Sequence, residues 1–175
     1  MIATNRLSLR PWQLTDLPAL AEINADERVM RYFPRTQSAA DTEAFLERMI
    51  VHQEKHGYCY FAAETRYDGR LIGFIGLAYQ TYAADFTPCT DIGWRLHPDV
   101  WGQGYATEGA RGCLDFAFYD LGLPEVYAVA VAQNAPSIRV MEKIGMRHHS
   151  TFAHPALADF PELERCVAYV IEKPT

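Results

Sequence analysis

The stretch His97-Pro98-Asp99-Val100-Trp101-Gly102-Gln103-Gly104-Tyr105-Ala106-Thr107-Glu108 separates two segments of opposite character. Ahead of it, Thr90-Asp91-Ile92-Gly93-Trp94-Arg95-Leu96 mixes β-branched and aromatic residues as a strand does. Behind it, Ala110, Leu114, Ala117, Phe118 and Leu121 recur at helical spacing and form one apolar stripe. Gly122 stands where a left-handed C-terminal cap is expected, with Pro124 two places on. The stretch therefore reads as strand, glycine turn, helix.

A glycine turn that runs into a helix start leaves backbone N–H groups without partners, pointing outward at the positive end of the helix dipole. That arrangement suits an anion, most often phosphate. Gly102 and Gly104 carry no Cβ, so an anion can approach the main chain there. Two familiar phosphate motifs fail on spacing. No G-x-x-x-x-G-K-[ST] occurs, and after Gly102 and Gly104 the next glycine is Gly109, two residues too late for G-x-G-x-x-G. A nucleoside triphosphate or a dinucleotide is disfavoured.

Working outward, Arg6-Leu7-Ser8-Leu9-Arg10 alternates as a first strand and stops at Pro11. Thr15-Asp16 supplies an N-cap for a short helix carrying Leu17, Leu20 and Ile23. Ser38 to Asp41 resembles a capping box ahead of Phe45, Leu46, Met49 and Ile50, in a helix that runs to His56 and stops at Gly57. Tyr58 to Thr65 and Leu71 to Tyr79 flank an Asp68-Gly69 turn and predict an antiparallel hairpin. Val126 to Ala132 is apolar almost throughout, as in a strand covered on both faces. Asn134 then caps a helix with Ile138, Met141 and Ile144, ended by Gly145. Two further strands, Met146 to Phe152 and Arg165 to Ile171, are joined by a loop containing Pro155 and Pro161. The order β-α-α-β-β-β-α-β-α-β-β implies an α/β fold: a mixed sheet with helices on both faces.

With 175 residues, 49% of them hydrophobic, the chain can bury one sizeable core, and a single domain over residues 1–175 is expected. A formal net charge of −6 lacks the basic footprint of a nucleic-acid binder and fits small-molecule or cationic partners. The first residues show no secretory pattern, and no apolar run approaches a membrane span. Cys59, Cys89, Cys113 and Cys166 lie far apart and read as reduced thiols of a cytoplasmic protein. No metal site is expected; the side chains of His148 and His149, adjacent on a strand, point to opposite faces.

Two motifs now stand together: Gly102-Gln103-Gly104-Tyr105-Ala106-Thr107-Glu108 and, one strand later, Asn134-Ala135-Pro136-Ser137-Ile138-Arg139-Val140-Met141-Glu142-Lys143-Ile144-Gly145-Met146. At this spacing the chain resembles the GNAT superfamily of acetyl-CoA-dependent N-acetyltransferases. Arg6 to Trp12 with Asp16-Leu17, Asp91 to Leu96 and Trp101 to Glu108 further resemble its Rim-type branch, which acetylates protein N-termini and assorted amines. The resemblance implies a mostly antiparallel, splayed sheet and acetyl-CoA as donor. It implies that Gly102, Gln103, Gly104, Tyr105, Ala106 and Thr107 hold the CoA pyrophosphate through main-chain N–H groups. It also implies that Trp94 to Leu96 bond the pantetheine arm through backbone, and that Asn134 faces CoA. The acceptor is an amine, on a protein N-terminus or a small molecule, and the enzyme is a monomer or a homodimer. Tyr32, Phe33, the Thr81 to Pro88 loop and the His154 to Pro161 loop are where a family member shapes the acceptor pocket.

This chain departs from the family's pattern at two positions. Trp101 stands where the family's phosphate turn often has Arg or Gln, and Met141 replaces the tyrosine that donates a proton to the leaving thiolate in many members. Ser137 matches a serine that some Rim-type enzymes use near the sulfur and becomes the candidate donor. Asp91, where the branch often has Glu, is the candidate base; an ordinary Asp titrates near pH 4, so unless burial raises it the proton leaves through water. Main-chain N–H groups around Leu96 are the candidate oxyanion donors.

Each assignment has a structural alternative. Asp91 is also readable as a strand-end acid paired with an arginine, Ser137 as support for its helix start, and Asn134 as an N-cap alone. Glu64 and His97 are reserve bases, while Trp94 and Tyr105 read as packing residues. A CoA-binding protein without turnover, a sensor or a subunit, is the alternative function; a phosphate-recognising module unrelated to CoA is a third.

Overall fold

The strands are β1 (Ile2–Ala3), β2 (Leu7–Arg10), β3 (Tyr60–Thr65), β4 (Leu71–Gln80), β5 (Cys89–Leu96), β6 (Glu125–Val131), β7 (Arg147–Ala153) and β8 (Arg165–Glu172). The helices are α1 (Leu17–Ala25), α2 (Ala39–His56), α3 (Tyr105–Asp115), α4 (Ala135–Lys143) and α5 (Pro161–Glu164). In this computed structural model, which describes residues 1–174, the strands form one eight-stranded sheet in the order β1-β2-β3-β4-β5-β6-β8-β7. The β5–β6 pair is parallel and is joined at a single register position, Asp91 opposite Tyr127. All other neighbours are antiparallel. Past Asp91 the two central strands diverge, so the sheet opens as a V in its middle.

Local chemistry explains most of these elements. The Ser38 hydroxyl accepts the Asp41 N–H at 3.1 Å, while the Asp41 carboxylate accepts the Ser38 N–H at 2.9 Å, a reciprocal cap at the start of α2. Asp68-Gly69 closes the β3–β4 hairpin. Alternate residues of a strand share a face, and β4 uses both faces. Phe74 meets Phe45 of α2, with ring centroids 5.3 Å apart. Ile75, on the opposite face, packs so closely against α3 that a Cβ on Gly109 would lie 2.4 Å from its Cδ1. The sheet is therefore sandwiched, with α1 and α2 on one face and α3 on the other.

Four local expectations are corrected. Thr15-Asp16 does not cap α1 through a side chain. The buried Asp16 carboxylate instead takes two bonds from the Arg10 guanidinium, each 2.8 Å, and one from the Gln13 N–H. A charge-assisted fork outcompetes a lone N-cap bond. β1, two residues long, is too short to show a pattern. The helix begun at Tyr105 widens to π-helical bonding over Phe116–Asp120. The tail loop holds a 3₁₀ turn (Pro155–Leu157) and α5, both with proline in the first turn. No helix of the described residues is long and apolar enough to cross a membrane.

Candidate active site

The V between β5 and β6 is edged by main chain. His97 N–H donates to Ile72 O at 2.8 Å, and antiparallel pairing alternates, so Arg95, Gly93 and Asp91 also turn their amides towards β4. The amides of Trp94 and Leu96 consequently turn the other way, into the opening. The Leu96 carbonyl is taken: the Trp101 indole N–H donates to it at 2.8 Å. That bond ties the strand end to the following turn, a role that the departure at Trp101 did not suggest.

The turn itself is what the glycines predict. Gly102 and Gly104 have φ of +74° and +83°, and Gly104 is the N-cap of α3 with no side-chain bond to the helix. The first helical bond runs from Glu108 N–H to Gly104 O. Among the described residues no hydrogen bond is made by the N–H groups from Gly102 to Thr107, so consecutive donors face solvent at a helix N-terminus. Arg6 and Glu108 brace this turn. Arg6 donates to Gln103 O at 3.0 Å and to Glu108 at 2.6 Å, and its guanidinium lies 4.1 Å from the Tyr105 ring centroid. Burial works to raise the Glu108 carboxyl, but bonds from the Thr4 hydroxyl and from the Arg6 amide and guanidinium outweigh it and hold Glu108 below the ordinary range.

Asp91 lies at the apex of the V, 7% exposed. Its carboxylate accepts from Tyr60 Oη at 2.6 Å and from Gln80 Nε2 at 3.2 Å, and it has no arginine partner among the described residues. Burial pushes it up to about 6, against the lowering effect of those two bonds. Across the opening, Asn134 Oδ1 accepts the Ser137 N–H at 3.2 Å and caps α4. The Ser137 hydroxyl makes no hydrogen bond among the described residues and its side chain is half-buried. Asp91, Trp94 and Leu96 lie along β5, the Gly102–Thr107 turn follows that strand, and Asn134 and Ser137 follow β6, the strand on the other side of the opening.

The acetyltransferase (GNAT) domain family matches residues 6–147 of the chain. The chain belongs to the GNAT acetyltransferase family. It is an acyltransferase, with acetyl-CoA as the acetyl donor and an amine as acceptor. The "Uncharacterized N-acetyltransferase YnaD" of Bacillus subtilis is 32% identical over 152 residues, covering 86% of this chain and 85% of that protein. A solved GNAT-family acetyltransferase from Bacillus anthracis superposes with a TM-score of 0.81 at 28% identity, over 98% of both chains. The spermidine N(1)-acetyltransferase of Escherichia coli K12 is 25% identical over 158 residues, covering 88% of this chain and 80% of that protein.

Within this GNAT acetyltransferase the remaining candidates separate clearly. Glu64 is committed to Arg10, 2.8 Å away, beside Asp16. The His97 ring accepts the Asp99 N–H at 3.2 Å and lies against Arg70 and Asp99 at the surface. Met141 is 2% exposed, packed in the main core. Trp94 and Tyr105 pack against that core as expected. Sequence reasoning missed Tyr60, Gln80, Arg6 and Trp101. Their partners lie far along the chain, as with Tyr60 and Asp91, or use a carbonyl, as Trp101 does, and neither leaves a spacing signal.

Proposed function

We propose that residues 1–175 form one N-acetyltransferase domain that moves the acetyl group of acetyl-CoA to a primary amine by direct attack on the thioester. The observation that carries the reading is the run of free amides from Gly102 to Thr107, set at one edge of the opened sheet with Asp91 at its apex. The amides take the diphosphate. The pantetheine arm runs along Trp94 and Leu96, whose outward N–H groups are its donors and stabilise the oxyanion.

The acceptor ammonium gives up a proton to Asp91, directly or through a water, and the neutral nitrogen attacks the carbonyl carbon. A C–N bond forms and a tetrahedral oxyanion develops; as the oxyanion collapses the C–S bond breaks, the sulfur leaves as thiolate hydrogen-bonded by Ser137, and the nitrogen gives up its second proton, which passes through water to that sulfur to leave the neutral amide and the CoA thiol. A carboxylate titrating near 6 is ionised at neutral pH yet basic enough to share a proton in the transition state. Asn134 holds the start of α4, and with it Ser137, against the cofactor. The Rim-type resemblance supports an N-terminal amine; the spermidine relative supports a polyamine. Buried, unpaired cysteines fit a reducing, cytoplasmic setting.

The test is calorimetric titration with acetyl-CoA, followed by thiol release in the presence of an amine panel. Micromolar binding with acceptor-dependent thiol release is expected. Binding without release for any amine favours the second reading, a CoA-binding sensor or subunit. That reading draws on Met141, which cannot donate a proton and is buried away from solvent.

A further inference from the structure

Arg95 projects from the same face of β5 as Asp91, four residues on, and is 8% exposed. Its guanidinium has no carboxylate within salt-bridge distance among the described residues. Its one hydrogen bond goes from Nη1 to Asn24 Oδ1, at 2.7 Å. Asn24 is itself fixed, donating to Thr42 at 3.2 Å, and it is a neutral partner that brings no charge to the guanidinium. Nε is buried with no hydrogen bond among the described residues. Burial pulls the group down to about 10. Keeping a cation buried and half-bonded costs several kcal/mol unless something else compensates.

The surroundings show what is missing. The guanidinium carbon lies 4.4 Å from the Phe33 ring centroid and 5.2 Å from that of Phe74. Phe74 stacks on Tyr60 at 5.3 Å, and Tyr60 bonds Asp91. Asp91, Tyr60, Phe74 and Arg95 therefore form one row beneath the α1–α2 connection, with the proposed base at one end and a cation at the other. With Nη1 on Asn24, the edge left on the guanidinium is Nε with Nη2, a fork that matches two carboxylate oxygens in its plane. Phe33, 42% exposed, forms the cover, and it lines a surface groove with the exposed Arg48.

We infer that Arg95 is the acceptor-selecting residue, and that the amine acceptor carries a carboxylate several bonds from its reactive nitrogen, taken by the free Nε–Nη2 edge beneath Phe33. An amino acid or a peptide N-terminus with a nearby acidic group fits; a polyamine, all cation, meets Arg95 as a like charge. The inference rests on the acetyl-transfer reading for its function and on the burial of Arg95 for its chemistry.

The experiment uses matched pairs that differ in a carboxylate against its amide: lysine with lysinamide, and the dipeptide amides Ala-Glu and Ala-Gln, with spermidine as the carboxylate-free control. Each is titrated calorimetrically into CoA-loaded protein, and each is assayed for thiol release with acetyl-CoA. At least one carboxylate member is expected to bind tenfold or more tightly than its amide and to show a matching kcat/KM advantage. Arg95→Gln is expected to erase that preference, and Arg95→Lys to restore it in part. Equal binding within both pairs, no measurable binding by any of them, or a preference unchanged in Arg95→Gln overturns the inference. The wild-type comparison decides alone where Arg95→Gln does not fold. Carboxylate-selective binding with no thiol release from any acceptor leaves Arg95 as the selector and counts against acetyl transfer.

Discussion

Tyr60 Oη donates to Asp91 Oδ1 across 2.6 Å, and the Tyr60 ring lies over Gly93, where a Cβ would come within 3.0 Å of it. The hydroxyl bond lowers the Asp91 pKa while burial raises it, and burial wins, leaving the group near 6. The acid limb of kcat/KM against pH is therefore expected to rise through about pH 6 as Asp91 loses its proton. Tyr60→Phe removes one of the two bonds to the ionised form and should move that limb to higher pH. A limb that stays in place in Tyr60→Phe assigns the titration to another group.

Asp91 also bears on stability, with the opposite sign to its activity. Its folded pKa, about 6, lies above the ordinary 3.8, so the native state binds the proton more tightly than the unfolded chain does. Stability from protonated Asp91 is complete below about pH 4 and is lost as pH rises through 6, roughly 3 kcal/mol in all. Asp91→Asn keeps a neutral group and should be more stable than wild type at pH 8, by about 1–3 kcal/mol, while losing most activity. Urea melts at pH 4.5 and pH 8 check this; a stability difference that does not grow with pH refutes it.

Ser137 and Asn134 can be separated because their shared bond uses the Ser137 amide, not its hydroxyl. Ser137→Ala keeps the cap, so its melting temperature should match wild type while kcat falls about tenfold to a hundredfold if Oγ meets the leaving sulfur. Asn134→Ala removes the cap and should cost about 1 kcal/mol whatever its effect on CoA. Thermal melts beside steady-state kinetics tell the two apart.

The extent to which the sequence foretold this arrangement follows the reach of each interaction. Contacts within a few residues were readable: the Ser38–Asp41 cap, the Asp68-Gly69 turn and the glycine bend at Gly102 all came from spacing alone. Asp16 was misread because its cap-like position competes with Arg10, on the neighbouring strand. Arg95 looked like an ordinary strand arginine, since Asn24 and Phe33 reach it only once α1 and the following connection fold over β5. Arg6 and Glu108, a hundred positions apart, were likewise invisible as a brace.

The bend depends on backbone shape more than on space. A Cβ at Gly102 meets nothing within 4 Å, yet its φ of +74° disfavours any side chain. Gly102→Ala should therefore cost about 1 kcal/mol of stability or distort the turn, and acetyl-CoA affinity should fall several-fold. Gly102→Asn, which tolerates a left-handed conformation, should lose less. Equal affinity for all three proteins by calorimetry would mean that the diphosphate does not use these amides.

Trp101 gives the most direct check on how the strand and the turn cooperate. Its indole N–H holds the Leu96 carbonyl at 2.8 Å, yet the ring is 48% exposed, so little core packing depends on it. Trp101→Phe keeps the ring and drops the donor, leaving the carbonyl of Leu96, a residue only 6% exposed, without its partner. The stability cost should be about 1–3 kcal/mol. If the bond fixes the turn relative to β5, the diphosphate and the thioester lose their common frame. Acetyl-CoA then binds about threefold to tenfold more weakly, with a parallel fall in kcat/KM. If the freed Leu96 carbonyl instead bonds the pantetheine arm, affinity rises. Calorimetry on Trp101→Phe distinguishes the two by sign, and tighter binding would overturn the bracing role assigned to Trp101.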